Sequence, residues 1–348
     1  MCIRDRQKEN TTEIGPYVKY KMHRGKFLIE PGLRIQWYTS LSNISPEPRL
    51  AIKYNVNDRL RIKGAGGFYS QNLISATSDR DVVKLFYGFL SGPDNLPEEF
   101  NGEKVTDKLQ KAWHTIGGIE LDLSNNVTMN IEAYYKKFTQ LTNINRNKIF
   151  DDTEIFADQP DELKNDFIIE TGDAKGLDIS IKFENDRFYF WGVYSLGYVS
   201  RFDGNNTYSP HFDRRHTINL VAAVYFGSAR DWELSSRWNF GSGFPFTQSQ
   251  GYFEKITFEY GIYSNPATEN GNLAILYAEL NTGRLPVYHR LDIDLKHKWE
   301  LSQHSHLQLN IGATNIYDRE NIFYFDRIAF ERVYQLPIMY NVGFTFSF

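Results

Sequence analysis

The end of the chain alternates strictly between apolar residues and residues that are mainly polar or small. This pattern constrains the fold more than any other feature of the sequence. The apolar set is Ile338, Tyr340, Val342, Phe344, Phe346 and Phe348, and the intervening set is Met339, Asn341, Gly343, Thr345 and Ser347. A period of two residues places the first set on one face of a β-strand and the second on the other. The segment is therefore predicted to be a strand with one apolar face.

The same alternation recurs along almost the whole chain. Leu177, Ile179 and Ile181, for example, alternate with Asp178 and Ser180. Most of the segments have the length of about 9 to 13 residues that a tilted strand needs to cross a bilayer. Thirteen strands are predicted in this way, at 12–22, 27–39, 48–56, 59–70, 112–122, 126–138, 172–184, 187–201, 213–226, 231–241, 287–300, 305–317 and 337–348.

The connections between these predicted strands alternate in length. Six are short and rich in turn residues, around 24–25, 57–58, 124–126, 185–186, 227–230 and 302–304. The other six are generally longer, at 40–47, 71–111, 139–171, 202–212, 242–286 and 318–336. Short periplasmic turns and long extracellular loops are typical of an outer-membrane barrel. The fold predicted is therefore an all-β, transmembrane, antiparallel up-and-down barrel, whose last strand ends in the periplasm.

Composition agrees with this fold and excludes several others. No run of about 18 apolar residues occurs, so no transmembrane helix is predicted. The 54 aromatic residues (26 Phe, 22 Tyr and 6 Trp) suit the two aromatic belts of a membrane barrel. A soluble sandwich or propeller would also alternate, but its strands are shorter and its long loops are not confined to one side. The net charge of −4 and the single Cys2 favour neither nucleic-acid binding nor a disulfide framework.

An odd number of strands and the nature of the start both predict an incomplete barrel. A closed bacterial barrel has an even number of strands, whereas thirteen are predicted here. Residues 1–10 carry no apolar signal-peptide core and are expected to be a non-native or disordered start. Residues 11–348 are expected to be the C-terminal portion of a larger barrel.

Seven phrases in order along the chain resemble those of TonB-dependent receptors, particularly the Bacteroidetes type. They are Glu47-Pro48-Arg49-Leu50, Ala174-Lys175-Gly176-Leu177-Asp178, Asp213-Arg214-Arg215-His216, Ser242-Gly243-Phe244-Pro245-Phe246-Thr247, Tyr288-His289-Arg290-Leu291-Asp292, Asn315-Ile316-Tyr317-Asp318-Arg319-Glu320-Asn321 and the terminal Phe348. In the fourth phrase, Phe246 replaces the Tyr that the family carries. The resemblance implies a 22-stranded barrel with an N-terminal plug domain, of which this chain would supply the last thirteen strands. It also implies uptake driven by the TonB energy-coupling complex through a segment that precedes this chain.

Candidate ligand contacts are charged residues predicted to line the lumen near the outer rim, together with tyrosines of the 242–286 loop. They are Asp213, Arg215, Arg237, Arg290, Asp292, Tyr252 and Tyr260. The alternative for the charged residues is a structural ladder of ion pairs. The alternatives for the aromatic loop, which also contains Phe244, Phe246, Phe253, Phe258 and Tyr263, are packing between loops or the outer aromatic belt.

The sequence predicts neither catalysis nor a bound cofactor. The eight histidines are scattered, and no phosphate-binding loop or nucleophile elbow occurs. The 151–173 loop is acidic, and two alternatives stay open for it, a calcium site and an ordinary solvated loop.

The leading prediction for function is an energy-coupled importer in the cell outer membrane that binds a scarce nutrient. The nutrient could be an iron chelate, a cobalamin, a glycan or a peptide, and the sequence does not choose between them. The alternative is a passive porin-like diffusion channel. An outer-membrane enzyme is a more distant third.

Overall fold

The computed structural model describes residues 11–75, 89–91, 96–150, 153–255, 271–302, 304–327 and 329–348. Within these ranges a single large antiparallel sheet, called the wall below, contains thirteen long strands. The first, β1, is broken into Glu13–Ile14, Tyr17–Lys19 and Met22–Arg24. The others are β2 (Phe27–Tyr38), β3 (Asn43–Asn55), β4 (Leu60–Gln71), β5 (Gln110–Ser124), β6 (Val127–Ile144), β7 (Phe167–Glu184), β8 (Phe188–Phe202), β9 (His216–Phe226), β10 (Trp232–Gly241), β11 (Tyr288–Glu300), β12 (His306–Thr314) and β13 (Met339–Ser347).

Each wall strand pairs with the next strand along the chain, from β1 at one edge to β13 at the other. The three segments of β1 all pair with β2, and Thr207–Tyr208 adds a short ladder to β8. The up-and-down order and all thirteen predicted strands are confirmed. No pairing joins β1 to β13 in the part of the chain that the structure describes. Residues 1–10 lie outside that part, so the prediction for them stays a prediction.

The six short connections lie together at one end of the wall, called the short-connection end. Two of them close in the same way. The Asn57 Oδ1 accepts the backbone N–H groups of Arg59 and Leu60 at 2.9 and 2.8 Å. The Asn185 Oδ1 accepts those of Arg187 and Phe188 at the same distances. An asparagine that hydrogen-bonds its own backbone two residues on is a local signal for a turn, which explains why these positions could be predicted.

The opposite, long-connection end departs from the prediction in two ways. The connection predicted over 40–47 is short, because β2 ends at Tyr38 and β3 begins at Asn43. It contains a 3-10 turn, Thr39–Leu41, and turns back through Ser42 at a φ of 53°. Strands β6 and β7 also extend past their predicted ends into the 139–171 loop, because they keep pairing as far as Ile144 opposite Phe167. The predicted alternation of short and long connections was therefore wrong at 40–47, the first of the six connections predicted to be long.

Several long connections carry strands of their own. The paired segments are Leu73–Ser75 with Phe89–Ser91, Glu99–Phe100 with Glu103–Lys104, Pro245–Phe246 with Gly283–Arg284, Ser249–Lys255 with Asn272–Tyr277, and Ile322–Asp326 with Glu331–Tyr334. The connection between β6 and β7 contains a 3-10 turn, Glu154–Phe156, and one α-helical turn, Asp161–Lys164. No helix among the described residues is long and apolar enough to span a membrane.

The two faces of the wall differ in chemistry. Residues directly opposite each other in an antiparallel pair point to the same side, so apolar positions line up across strands. One such row is Ile62, Ile119, Ile131 and Ile179, and another is Val224, Leu234, Leu295, Ile311 and Val342. Many of these side chains are exposed, for example 46% at Ile62 and 63% at Val342. We call this side the apolar face.

The other side, the polar face, carries ion pairs between neighbouring strands. Glu120 on β5 accepts from Lys53 on β3 and from Arg61 on β4, both at 2.9 Å. Lys296 on β11 pairs with Glu233 on β10 at 3.1 Å. The predicted separation of apolar and charged side chains on opposite faces is therefore present in the wall.

Candidate functional site

The long-connection end of the polar face brings together most of the residues that the sequence singles out. Asp213, three positions before the start of β9, is completely buried at its carboxylate. Its oxygens accept from Arg215 Nε at 2.8 Å, Arg284 Nη2 at 2.7 Å and the backbone N–H of Val199 at 2.9 Å. Burial opposes ionisation of Asp213, but the hydrogen bond from Arg284 and the other donors outweigh it and hold the pKa below its ordinary value. Asp213 thus fastens the 242–287 loop to the start of β9.

A second pair of predicted residues lies on β11. Arg290 Nη2 donates to Asp292 Oδ2 at 2.8 Å, and Asp292 Oδ1 also accepts the backbone N–H of Asn315 at 3.0 Å. Arg237 on β10 stands directly opposite Asp292. Arg237 is exposed and has no ion pair or hydrogen bond within the described ranges. Of the five charged residues predicted to meet a ligand, four are therefore engaged in ion pairs, as the alternative interpretation has it, and Arg237 is free.

The aromatic residues of the 242–287 loop pack against the next long loop. The Tyr252 hydroxyl donates to the carbonyl of Arg327, and its ring lies 5.6 Å from that of Phe330, edge-on. The rings of Phe246 and Phe325 are 6.0 Å apart. This geometry accords with packing between loops for Tyr252 and Phe246. Tyr260, Phe258 and Tyr263 lie outside the described residues, and their role as ligand contacts stays a prediction.

Four of the family-like phrases, those around 213–216, 242–247, 288–292 and 315–321, meet at this end of the wall as a structural frame. Arg214 lies over the Phe244 ring with 4.0 Å between its Cζ and the ring centre, a cation–π contact. A Cβ on Gly243 would collide with the carbonyl oxygen of Leu285, so only glycine fits there. Residues from three of the quoted phrases or their neighbours thus hold one another in place.

Two buried asparagines complete this frame. Asn315, fully buried at the end of β12, donates to the carbonyls of Arg319 and Leu336 at 3.0 and 3.3 Å. Asn321 accepts the backbone N–H of His289 at 3.2 Å and donates back to its carbonyl at 2.9 Å. Because a buried polar group costs free energy unless it is paired, these amides fix the loop path rather than leave it mobile.

Among the described residues, the most deeply buried cluster of charges was not predicted from the sequence. Glu170, on the extension of β7, is completely buried and accepts from Arg146 Nη1 at 3.0 Å and from the Tyr208 hydroxyl at 2.7 Å. Arg146 is 4% exposed and also pairs with Asp203. Burial opposes ionisation of Asp203, but the backbone N–H groups of Asn206 and Asn205, with Arg146, hold its pKa below the ordinary value. No short motif could reveal this cluster, because its members come from two separate connections and from the extension of β7.

The acidic 151–173 loop forms ordinary surface ion pairs where the structure describes it. Asp166 pairs with Lys148 at 2.5 Å, and Asp161 with Lys164 at 2.9 Å. No group of three His, Cys, Asp or Glu side chains that could hold a metal ion occurs among the described residues, and Asp151 and Asp152 are not among these. The charged and aromatic side chains at the long-connection end can bind a ligand through electrostatic attraction and ring stacking.

No family model matches this sequence, and a search of curated proteins found no match. Solved structures match it over nearly its full length. A variant of the ferric enterobactin receptor PfeA from Pseudomonas aeruginosa has a TM-score of 0.60, 12% identity and coverage of 97% of this chain and 45% of its own. The unliganded ferric citrate transporter FecA has a TM-score of 0.57, 14% identity and the same coverage. The ferripyoverdine receptor of the outer membrane of P. aeruginosa, bound to ferripyoverdine, has a TM-score of 0.57, 12% identity and coverage of 97% and 38%.

At identities this low the likeness establishes the fold alone. The chain has the fold of a transmembrane β-barrel of the kind found in outer-membrane receptors, and it spans less than half of the length of those receptors.

Proposed function

We propose that this chain is part of an outer-membrane importer, a TonB-dependent receptor of the Bacteroidetes type, and forms the C-terminal portion of its barrel. The observation that carries the proposal is the match of the whole wall to the barrels of transport receptors over 97% of the chain. Seven sequence phrases that resemble the family, four of which form one frame at the long-connection end, support the same family.

The chemistry of the two faces supports a membrane location. The apolar face exposes large side chains in rows that cross many strands, an arrangement that water would disfavour and hydrocarbon favours. The ion pairs of the polar face suit a wet lumen. The long loops would then be extracellular and the short turns periplasmic.

The transported nutrient is proposed to bind through the extracellular loops and the polar face. The structural neighbours are named for ferric enterobactin, ferric citrate and ferripyoverdine, so iron chelates are the first class to test. Cobalamins, glycans and peptides are the further classes. Energy would reach the barrel from the TonB complex through a segment outside this chain.

Uptake by whole cells tests the proposal. Cells without iron-chelate receptors of their own would make the full-length gene product and receive radiolabelled iron on a panel of chelators, with labelled cobalamin, glycan and peptide pools as parallel arms. We expect saturable uptake of one class that a protonophore abolishes. Uptake that persists after the membrane potential has been collapsed would instead support the passive channel.

A further inference from the structure

A depression of about 620 Å³ opens on the polar face where β1 to β4 lie side by side. It is far along the wall from the predicted ligand contacts on β9 to β11. Its volume is within the range of about 300 to 1,000 Å³ that small-molecule sites occupy. Its lining includes Tyr17, Lys19, Glu30, Arg34, Arg49 and Tyr69.

Small side chains create the depression. Ala51 on β3 stands opposite Ala65 on β4, and Gly32 on β2 stands opposite Arg49. Larger side chains at these three positions would fill the space above the sheet, since residues on one face of neighbouring strands are about 5 Å apart. The backbone is therefore accessible to a ligand between a rim of charged and aromatic residues.

Arg34 is the cation of this rim that has no partner. Lys19 pairs with Glu30 at 2.8 Å, and Arg49 pairs with the buried Glu47 at 2.7 Å. Arg34 is half-buried and makes no ion pair or hydrogen bond with any residue that the structure describes. The buried Glu47 stands directly opposite Arg34 but is paired with Arg49, so an anionic ligand would supply the hydrogen-bond acceptor that the described residues do not give Arg34.

The position of Arg34 depends on a glycine in β1. A Cβ built on Gly15 would lie 2.9 Å from Arg34 Nη2 and 2.7 Å from Gln36 Oε1. Glycine at this position thus gives the guanidinium room to lie against the strand. The planar guanidinium presents two N–H groups in a fixed fork that matches a carboxylate.

Two aromatic rings flank the charges. Tyr69 is held between Arg49, whose Cζ lies 4.4 Å from the ring centre, and His114, whose ring is stacked at 4.3 Å. Tyr17, on the other side of the depression, is 79% exposed. The Tyr69 ring is therefore already occupied by Arg49 and His114 and forms one wall of the depression, whereas the Tyr17 ring can stack on a ligand.

We propose that this depression binds a carboxylate carried on an aromatic ring, with the carboxylate on Arg34 and the ring against Tyr17, which stands directly opposite Arg34. In the importer this group would be part of the transported nutrient, and that identification rests on the proposed function. Binding itself requires neither transport nor energy coupling.

The test uses the full-length gene product in detergent micelles and 4-fluorobenzoate as the probe, observed by fluorine NMR. We expect Arg34→Gln to weaken binding by about tenfold or more, since one charge-assisted hydrogen bond is worth about that factor. Tyr17→Leu should weaken it less, by about threefold, because only stacking is lost. Arg59→Gln is the matched control, because Arg59 is an exposed arginine in a short connection at the other end of the wall, and it should bind like the unaltered protein.

Two competitors define the ligand class. Benzoate should displace the probe, whereas benzamide and inorganic phosphate should do so at least about tenfold less well, because the first lacks charge and the second lacks a ring. Binding that Arg34→Gln leaves intact, or phosphate that competes as well as benzoate, would overturn the assignment. If the probe did not bind but the protein still took up its nutrient, the proposed site would be wrong and the proposed import function would be unaffected. If the probe bound but no nutrient was taken up, the proposed import function would be wrong and the site would be unaffected.

Discussion

At the short-connection end of the wall, two turns close through hydrogen bonds between residues two or three positions apart, whereas the buried charge cluster at the long-connection end joins residues tens of positions apart. Asn57 bonds to Arg59 and Leu60. Glu170, by contrast, bonds to Arg146 and Tyr208, which are 24 and 38 positions away. The turn is specified by neighbouring residues, and the buried cluster exists only once the wall has formed.

Strand β7 shows the difference within one element, because it has a glutamate near each end. Glu184, at the short-connection end, pairs with Lys182 at 2.6 Å, and both side chains are at least half exposed. Glu170, at the other end, is completely buried. Exposed pairs contribute about 0 to 1 kcal/mol, whereas breaking a buried pair costs several times more. The same residue type therefore has different roles at the two ends.

The largest expected effect concerns the side of the membrane on which each end lies. In a Cys2→Ser background, a cysteine at Asp161 should react with an impermeant maleimide on whole cells, and one at Asn126 should react only after the cells are permeabilised. The reason is that Asp161 is in a long connection and Asn126 in a short one. Labelling of the Asn126 variant in intact cells would reverse the proposed topology. Asn265, another long-loop position, lies outside the described residues.

Next in size is the cost of breaking the buried pair. Glu170→Leu should lower the free energy of opening of the long-connection end by about 3 to 5 kcal/mol. The reason is that Arg146, which is 4% exposed, would keep only one carboxylate, that of Asp203, among its described contacts. Hydrogen exchange of β6 and β7 near that end would measure it. Glu184→Leu is the matched control and should change exchange by less than about 1 kcal/mol. Equal effects of the two variants would show that the ends do not differ.

The wall between the two ends can be tested at β13. Val342→Arg should destabilise the folded protein in lipid vesicles by about 2 to 4 kcal/mol, because it places a charge on the apolar face near mid-membrane. Asn341→Arg, one residue away on the polar face, should cost much less. Urea unfolding of the full-length gene product in vesicles would compare them. If the two variants were equally destabilised, the assignment of the faces would be wrong.

A pH dependence should distinguish the ends as well. The pKa of Asp213 is depressed, so its ion pairs stabilise the fold fully above the unfolded value of about 3.9 and lose that contribution as the pH falls through the lower folded value. Exchange protection of the Val199 amide, which donates to Asp213, should therefore be constant from about pH 7 to 5 and fall below about pH 4. Asp213→Asn should remove this step. A profile that the substitution leaves unchanged would rule out Asp213 as the titrating group.

The smallest effect is expected at a short turn. Asn57→Ala removes two hydrogen bonds that water can partly replace, so it should cost about 1 kcal/mol in urea unfolding. The neighbouring Asp58→Ala is the control, because no side-chain contact of Asp58 occurs among the described residues. A loss of several kcal/mol at Asn57 would mean that this turn also depends on contacts with distant residues.

Sequence reasoning reached the strands and their order because both signals are short-range. A period of two residues is visible within ten positions, and turn residues such as Asn57 and Asn185 act on their immediate neighbours. It failed at the connection after Tyr38, where Pro46 was assigned to the 40–47 loop although it stands in β3 opposite Ile35. Proline lacks an N–H group but is tolerated where the strand geometry leaves that donor unneeded.

The candidate site could be predicted only in part. Asp213 and Arg215 were recognised as charged rim residues, but their mutual ion pair and the bond to Arg284, 71 positions away, depend on the path of a long loop. Arg34 and Tyr69 gave no signal at all, because each is an ordinary alternating residue of its own strand. They line one depression only because strand register sets Gly32 and Ala51 beside them.

The sequence by itself determined that this chain forms about thirteen antiparallel strands with an apolar and a polar face. Those properties follow from side-chain alternation and local turn chemistry, which act over a few residues. Only the tertiary structure decided which charges are buried, which are paired and which, like Arg34 and Arg237, have no partner among the described residues. The reason is that hydrogen bonds and ion pairs form over about 3 Å, and residues tens of positions apart reach that distance only when the register of the wall and the paths of the long loops bring them together.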